Sequence, residues 1–377
     1  MRERSTLALL LFCGVLHGSD TLRFHSAAFG TERTVIVHTP QFFAAASGQV
    51  RMPVFILLDG QHDWFVEPLL NDIRYLQYTH EVPQAITVVV PHDDRVKESA
   101  ETSETTGPLP LLRMLTEELP PLLERYHPGD YRVLIGHSFT ASFALYAKQH
   151  APDAFDAVIA LSPLHRVEKY VPALGQQLKE RRNDDVLIGV GGGDPTKDGG
   201  HHEKLLAAWN GLSVAKGRMF LKEYPSAGHT SLPIIAFPDL LATLFMDFAL
   251  RDSLAPVDGE YKLLHPPPAP EVLMTQVEAG LLFRGTILPW EIAEINGLAS
   301  RLWASDQVEH VRAIYRRGVE LYPDDAGMNW SLGEVVLPMD RANGERHLRR
   351  ALELLDSEGM SDAERAEARA AIEGLLK

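Results

Sequence analysis

Residues 131–147 read YRVLIGHSFTASFALYA, in which two apolar runs meet at a Gly-His-Ser-Phe turn. The first run, residues 133–135, is typical of a strand buried on both faces of a parallel sheet. Residues 140–149 lack glycine and proline and are apolar on nearly every side, which predicts a helix packed against that sheet. Ser138 would then lie on the sharp turn between strand and helix, with its hydroxyl exposed at the carboxyl edge of the sheet. The pattern predicts a nucleophile elbow.

One position departs from the usual elbow motif. Such motifs carry a glycine two residues after the serine, where strand and helix approach closely, and this chain has Thr140 there. We expect either a local displacement or a repacking into Ala141 and Ser142.

Length and composition limit the classes of protein. The 377 residues are enough for two domains, and 45% hydrophobic with 23% charged residues is typical of a globular protein. The net charge of −15 argues against a nucleic-acid partner and gives no support for binding anionic membranes.

The first 18 residues resemble a secretory leader. A basic MRER start precedes an apolar run over residues 5–16, which predicts a signal peptide and a periplasmic or secreted protein. The run is too short for a transmembrane helix. The alternatives are an uncleaved anchor, or a mis-assigned start and a cytoplasmic protein. Removal of the leader would also remove Cys13, the single cysteine, and with it any disulfide, thiol nucleophile or cysteine–zinc site.

Apolar runs and helical stretches alternate along residues 19–255. A hairpin with Gly30 in its turn is predicted first, and a helix over 109–126 should kink or restart at Pro120 and Pro121. The alternation predicts an α/β domain with a mostly parallel sheet covered by helices on both faces. The active site of such a sheet forms at the carboxyl ends of the strands. The predicted later strands are residues 54–58, 86–90, 133–135, 158–161, 186–190 and 219–224.

A second, all-α module is predicted after a proline-rich linker. The linker covers residues 256–279, and residues 280–377 form the module. RRGVEL at 316–321 resembles RRALEL at 349–354, and the offset of 349 − 316 = 33 is close to the period of tetratricopeptide repeats. A short tetratricopeptide-like repeat domain and a generic helical bundle are both consistent with this pattern. Either could bind a protein partner.

The serine hydroxyl needs a base, and the base needs an acid that orients it. In the α/β-hydrolase order, the acid follows the nucleophile and the histidine comes last. Asp194 follows the predicted strand 186–190 across three glycines and is the preferred acid. Asp198 and Glu203 compete with it, and Asp194 could also be a simple turn residue before Pro195.

The preferred base is His229, which lies on a loop of small residues directly after the last main strand. Four other histidines downstream of the serine fit less well, because of their place in the chain order or on a polar loop: His150, His165, His201 and His202.

Two backbone N–H groups would stabilise the oxyanion, those of Phe139 and of Gln61 in the loop after an earlier strand. Trp64 and Phe65 could line an acyl or aryl pocket, or could be core residues of the next helix. The polar loop 91–108 could overhang the site and shape specificity, or could be solvated and disordered.

The chain resembles the putative esterase family of α/β-hydrolases, which includes enterochelin esterases, S-formylglutathione hydrolase and mycolyltransferases. The resemblance covers residues 20–250 and is carried by PVFILLDG at 53–60, YRVLIGHSF at 131–139, AVIALSP at 157–163 and YPSAGH at 224–229. It implies the same triad of Ser138, Asp194 and His229, with Phe139 and Gln61 at the oxyanion. It also implies tetratricopeptide-like C-terminal repeats, which some bacterial members carry.

The sequence thus predicts a serine esterase that needs no metal or cofactor and acts on a small acyl, siderophore or carbohydrate ester through an acyl-enzyme. Acyl transfer with the same triad is an alternative within enzymes. A catalytically degenerate hydrolase that binds a partner through its helices is the alternative outside enzymes. A peptidase is the least favoured, because no peptide-binding module is recognisable.

Overall fold

The computed structural model describes residues 18–181, 183–191, 201–212, 219–357 and 359–377. Within these residues, eight strands form one sheet: β1 (Ser19–Ser26), β2 (Thr31–His38), β3 (Met52–Leu57), β4 (Ile86–Val89), β5 (Pro128–His137), β6 (Ala157–Leu161), β7 (Asp185–Gly191) and β8 (Met219–Tyr224).

The strand order is β1-β2-β4-β3-β5-β6-β7-β8. β2 pairs antiparallel with β1 and with β4, and all other neighbours pair in parallel. The mostly parallel sheet and the N-terminal hairpin are therefore confirmed, with Gly30 in the turn at a φ of 67°. Because β3 to β8 run in the same direction, their carboxyl ends meet at one edge of the sheet.

Helices cover both faces of this sheet: α1 (Asp63–Tyr78), α2 (Arg95–Ser99), α3 (Pro110–Arg113), α4 (Leu119–Leu123), α5 (Phe139–His150), α6 (Val167–Gln177), α7 (His201–Asn210) and α8 (Leu232–Leu244). Alternate residues of β3 enter two separate cores. Val54 and Ile56 pack with α5 and α6, whereas Phe55 and Leu57 pack with α1 and α8. This α/β-hydrolase architecture confirms the predicted fold class.

The helical stretch over 109–126 is broken, as the proline pair predicts. A π-helical turn, Met114–Glu118, separates α3 from α4, and a 3₁₀ turn, Glu124–Tyr126, follows α4. Pro120 and Pro121 lack the N–H groups that a continuous helix would use, so the ladder is interrupted just before them.

The C-terminal region is almost entirely helical: α9 (Arg251–Leu254), α10 (Pro270–Gly280), α11 (Ile292–Ala304), α12 (Val308–Leu321), α13 (Ala326–Val336), α14 (Arg341–Leu354) and α15 (Asp362–Leu375), with a small hairpin, β9 (Leu282–Phe283) and β10 (Thr286–Ile287), after α10. α10 occupies the last part of the predicted linker. The two similar hexapeptides end α12 and α14, whose first residues are 341 − 308 = 33 positions apart. This spacing is consistent with the predicted repeat.

The predicted leader falls almost wholly outside the described residues. Among the helices that are described, none combines the length and the apolar character needed to cross a bilayer.

Candidate active site

Ser138 lies on the turn between β5 and α5, in a backbone conformation that residues other than glycine rarely adopt. Its φ is 63° and its ψ is −115°. The residue is 5% exposed, at the carboxyl edge of the sheet. A strained, non-glycine residue between a buried strand and a buried helix matches the predicted nucleophile elbow.

The close approach of strand and helix is made at Gly136. A Cβ there would lie 2.5 Å from the carbonyl carbon and oxygen of Thr140, so a side chain at this position would clash with backbone. The Thr140 side chain is fully buried and hydrogen-bonded. The close contact of strand and helix therefore falls at Gly136 and not at position 140. The displacement or repacking expected from the sequence stays a prediction.

His229 approaches the serine from the loop after β8. Its Nε2 lies 3.0 Å from Ser138 Oγ, a hydrogen-bonding distance for a serine and its base. Gly191, at the end of β7, allows this loop to come close, because a Cβ there would overlap the carbonyl oxygen of Ala227. Structure and chain order thus bring the predicted nucleophile and base together.

His137, between Gly136 and the serine, supports the His229 backbone. Its Nε2 lies 2.9 Å from the His229 carbonyl oxygen, and its ring stacks on Phe65 with 5.7 Å between centroids. Burial, together with the neighbouring His229, lowers the pKa of His137 to about 4. A neutral His137 can therefore donate its Nε2–H to that carbonyl at neutral pH. The sequence analysis missed this residue, although its place between glycine and nucleophile was a signal.

The predicted acid, Asp194, lies outside the described residues, and so does its competitor Asp198. Glu203, the other competitor, lies exposed on α7. β7 ends at Gly191, the first of the three glycines, one residue beyond the end of the predicted strand.

The two predicted oxyanion donors lie on the turns that follow β3 and β5. Phe139 is the first residue of α5, where a backbone N–H has no intrahelical acceptor. Gln61 is held by its side chain: Oε1 accepts from the His92 N–H at 2.9 Å, and Nε2 lies 3.4 Å from Asp59 Oδ1.

The two candidate pocket aromatics differ in burial. Phe65 is 1% exposed and belongs to the core on the α1 face, which is the second of its two predicted roles. Trp64 is 49% exposed and stands edge-on to His137, with 6.1 Å between centroids. Trp64 is therefore the one of the two that is available to a substrate.

The polar loop 91–108 is ordered at its start by a buried carboxylate. Glu98, in α2, accepts two hydrogen bonds from Arg33 at 2.8 Å each and one contact from His92 Nδ1 at 3.0 Å. Burial acts to raise the pKa of Glu98, but the bonds from His92 and Arg33 outweigh it and lower the pKa to about 2. A second carboxylate, Glu101, pairs with Arg166 and Lys169 near the start of α6. These anchors hold the first part of the loop, whereas residues 102–104 and 106–108 in its centre and end are exposed. Whether the loop shapes specificity stays a prediction.

Three of the four competing histidines make structural contacts, and the side chain of the fourth, His201, lies outside the described part of the chain. His150 Nδ1 lies 2.9 Å from the Tyr146 carbonyl oxygen, and His165 Nε2 lies 2.9 Å from that of Glu101. His202 pairs with Glu223 at 3.4 Å. Across the described part of the chain, no group of three or more potential metal ligands occurs.

A family model described as putative esterase matches residues 26–219, which is more than half of the chain. This chain belongs to the putative esterase family. It is therefore a hydrolase that acts on ester bonds, as the resemblance implied.

Solved structures give the same fold. An IroE-like serine hydrolase from Shewanella oneidensis aligns with a TM-score of 0.61 at 18% identity, over 79% of this chain and 98% of that one. An uncharacterised protein from Capnocytophaga ochracea aligns with a TM-score of 0.58 at 14% identity, over 95% of this esterase and 100% of that chain. A ferulic acid esterase aligns with a TM-score of 0.50 at 17% identity, over 61% and 98%. At these identities the likeness concerns the fold alone. No curated protein sequence matches the chain.

Proposed function

We propose that this esterase is a serine hydrolase that cleaves small-molecule esters through an acyl-enzyme on Ser138. The observation that carries the proposal is the 3.0 Å distance between Ser138 Oγ and His229 Nε2, at a strained turn on the carboxyl edge of the sheet. A protein that only bound partners would not need this pair.

Each residue has a distinct role in the proposed reaction. Ser138 Oγ attacks the ester carbonyl while His229 Nε2 takes its proton. The tetrahedral oxyanion accepts hydrogen bonds from the backbone N–H groups of Phe139 and Gln61. His229 then protonates the departing alcohol, and the acyl group stays on Ser138. Asp194 orients His229 and stabilises its charged form.

Water completes the cycle. His229 removes a proton from a water molecule that attacks the acyl-enzyme carbonyl, and Ser138 is released with its proton restored. An alcohol in place of this water would give acyl transfer with the same residues. The polar loop 91–108 and Trp64 are the elements we propose to shape the choice of ester.

Steady-state turnover of p-nitrophenyl acetate and butyrate tests the proposal. Ser138→Ala should lower kcat by a factor of at least about 10³, because the variant lacks the hydroxyl that forms the proposed acyl-enzyme. Ser253→Ala is a matched control, since that hydroxyl only bonds the Leu250 carbonyl oxygen. Equal turnover by wild type and Ser138→Ala would refute the mechanism.

A further inference from the structure

The strained turn at Ser138 is held by bonds on both sides of the residue. The Ser138 N–H donates to the Leu161 carbonyl oxygen at 2.9 Å, and the Ser138 carbonyl oxygen accepts from the Ser142 N–H at 3.1 Å. A non-glycine residue with positive φ persists only where the surrounding structure determines it strongly. The bonds that hold the preceding residue, His137, therefore matter as well.

Both backbone groups of His137 are bonded by side chains. The His137 N–H donates to Thr140 Oγ1 at 2.9 Å, and the His137 carbonyl oxygen accepts from Arg95 Nη2 at 2.6 Å. Thr140 Oγ1 also lies 2.5 Å from Asp59 Oδ2 and 2.8 Å from the His137 carbonyl oxygen. Its single proton points to one of these acceptors at a time, and the carboxylate is the closer one. A glycine at position 140 has no side chain, so it could bond neither the His137 N–H nor Asp59.

Asp59 connects this bonding to the turn after β3. Its carboxylate accepts from Arg95 Nε at 2.5 Å and from Arg95 Nη2 at 3.1 Å. Asp59 is 1% exposed. Asp59 also has a positive φ of 65°. Gly60 and Gln61 follow Asp59 directly, and the Gln61 side chain reaches back to the Asp59 carboxylate. Bonds to an ionised carboxylate in a buried position are strong and geometrically specific.

We infer that Asp59, Thr140 and Arg95 form a positioning network that fixes the nucleophile turn and the turn after β3 relative to each other. Thr140 is then a functional replacement for the usual glycine: Gly136 supplies the close approach, and the hydroxyl supplies a bond that glycine lacks. The bonds of the network go to the His137 backbone and between its own side chains, and it acts by holding Ser138 and Gln61 in place. The inference rests on the proposed function, because it concerns the geometry of that site.

Misplacement of a nucleophile by about 1 Å can lower a rate by a factor of about 10². Loss of the network should therefore lower kcat while leaving the binding of a small ester nearly unchanged. A network with a purely structural role would lower the melting temperature without this separation of kcat from KM.

The experiment compares Thr140→Val, Thr140→Ser, Thr140→Gly and Asp59→Asn in the full-length chain, with p-nitrophenyl acetate turnover and thermal melting measured for each. Thr140→Val keeps the branched shape and removes the hydroxyl. We expect its kcat to fall at least about 10-fold with KM within about twofold of wild type. Thr140→Ser should restore kcat to within about threefold of wild type, because it keeps the bonds.

Thr140→Gly distinguishes the network from simple tolerance. It recreates the usual family residue, so tolerance predicts unchanged or higher kcat, whereas the network predicts a loss like that of Thr140→Val. Thr116→Val is the matched control, since its hydroxyl bonds only the Leu112 carbonyl oxygen in the broken helix. If Thr140→Val does not fold, Asp59→Asn supplies the same test with the same expected loss of kcat.

Unchanged kcat in Thr140→Val and Asp59→Asn, in an active wild type that Ser138→Ala inactivates, would overturn the network alone. A wild type without ester turnover and without Ser138 reactivity would overturn both the network and the proposed function.

Discussion

His229 and His137 lie 4.8 Å apart between ring centroids, yet they are suited to different tasks. His229 presents Nε2 to the serine hydroxyl, whereas His137 presents Nε2 to the His229 backbone. A pKa of about 4 keeps His137 uncharged at neutral pH, so it does not compete with His229 for a proton. The division of labour follows from burial and from which atom each ring faces.

The proposed acid can be tested at the residue scale. Asp194→Asn should lower kcat by a factor of about 10⁴, because an amide favours the wrong tautomer of His229. Asp198→Asn and Glu203→Gln serve as matched variants of the two competing acids and should keep kcat close to wild type. A large loss in either competitor, with Asp194→Asn active, would reassign the acid. The measurement is steady-state kcat on p-nitrophenyl acetate.

Some residues of the site could be predicted from sequence and others could not. Ser138 and His229 follow from the chain order and from their positions after buried strands. The bonds of Thr140 and Arg95 to Asp59 join residues that are up to 81 positions apart, and no local pattern encodes which side chains meet. The sequence showed only that Thr140 departed from the motif.

At the scale of elements, the buried pair of Arg33 and Glu98 joins the N-terminal hairpin to the polar loop 91–108. Arg33 comes from β2 and Glu98 from α2, and their side chains are 4% and 7% exposed. Arg33 also bonds the Pro91 carbonyl oxygen at 3.1 Å. The pair thus fixes the start of the polar loop beside the carboxyl edge of the sheet.

Removal of either Arg33 or Glu98 should lower the free energy of unfolding, because the charge of the other residue stays buried. We expect Arg33→Met to lower the free energy of unfolding by about 3–5 kcal/mol. Arg23→Met, on the neighbouring strand β1, removes an exposed arginine and should change it little. Urea unfolding of the three proteins measures the difference. Equal midpoints and slopes for wild type and Arg33→Met would show that the pair has no such role.

Element types were largely predictable, because long apolar runs and prolines act locally. The hairpin, the parallel strands and the interruption before Pro120 all follow from such signals. The short helix α2 did not, since residues 95–99 have no apolar periodicity and depend on the buried Glu98 for their position. Tertiary bonding of Glu98, together with the Asp94 side chain that accepts from the Lys97 N–H at the start of the helix, accounts for this element.

At the scale of the whole molecule, the helical region shares a core with the α/β domain. Trp290, Ile295 and Ile314 belong to the same cluster of buried residues as Val54 of the sheet. Arg301 bonds the carbonyl oxygens of Arg251 and Ala255. The two regions therefore bury apolar surface together, although a proline-rich segment joins them in the sequence.

Two buried carboxylates lie at this junction. Glu294 accepts from the N–H groups of Leu250 and Arg251 at 3.0 Å each. Glu291 accepts from the N–H of Gln84, next to β4. Burial, with the nearby Glu294, raises the pKa of Glu291 to about 8, against an ordinary value of 4.5.

This raised pKa makes the stability of the whole molecule depend on pH. Between about pH 4.5 and pH 8, folded Glu291 keeps a proton that the unfolded chain has released. The stabilisation is therefore complete below about pH 4.5 and is lost as the pH rises through about 8.

Glu291→Gln removes this ionisation while keeping an acceptor for Gln84. The fall in melting temperature from pH 5.5 to pH 8.5 should be smaller in Glu291→Gln than in wild type. Glu278→Gln, an exposed position on α10, should leave the wild-type dependence intact. Identical pH dependence in wild type and Glu291→Gln would contradict the raised pKa of Glu291.

The cellular location and a protein partner for the helices stay predictions.

The most direct test of the central claim is covalent labelling of the purified full-length protein by a fluorophosphonate probe, read by intact mass and by peptide mapping. The account predicts one probe adduct per chain, located on Ser138 and absent from Ser138→Ala. Folded wild-type protein that takes up no probe, or an adduct that persists in Ser138→Ala, would contradict it.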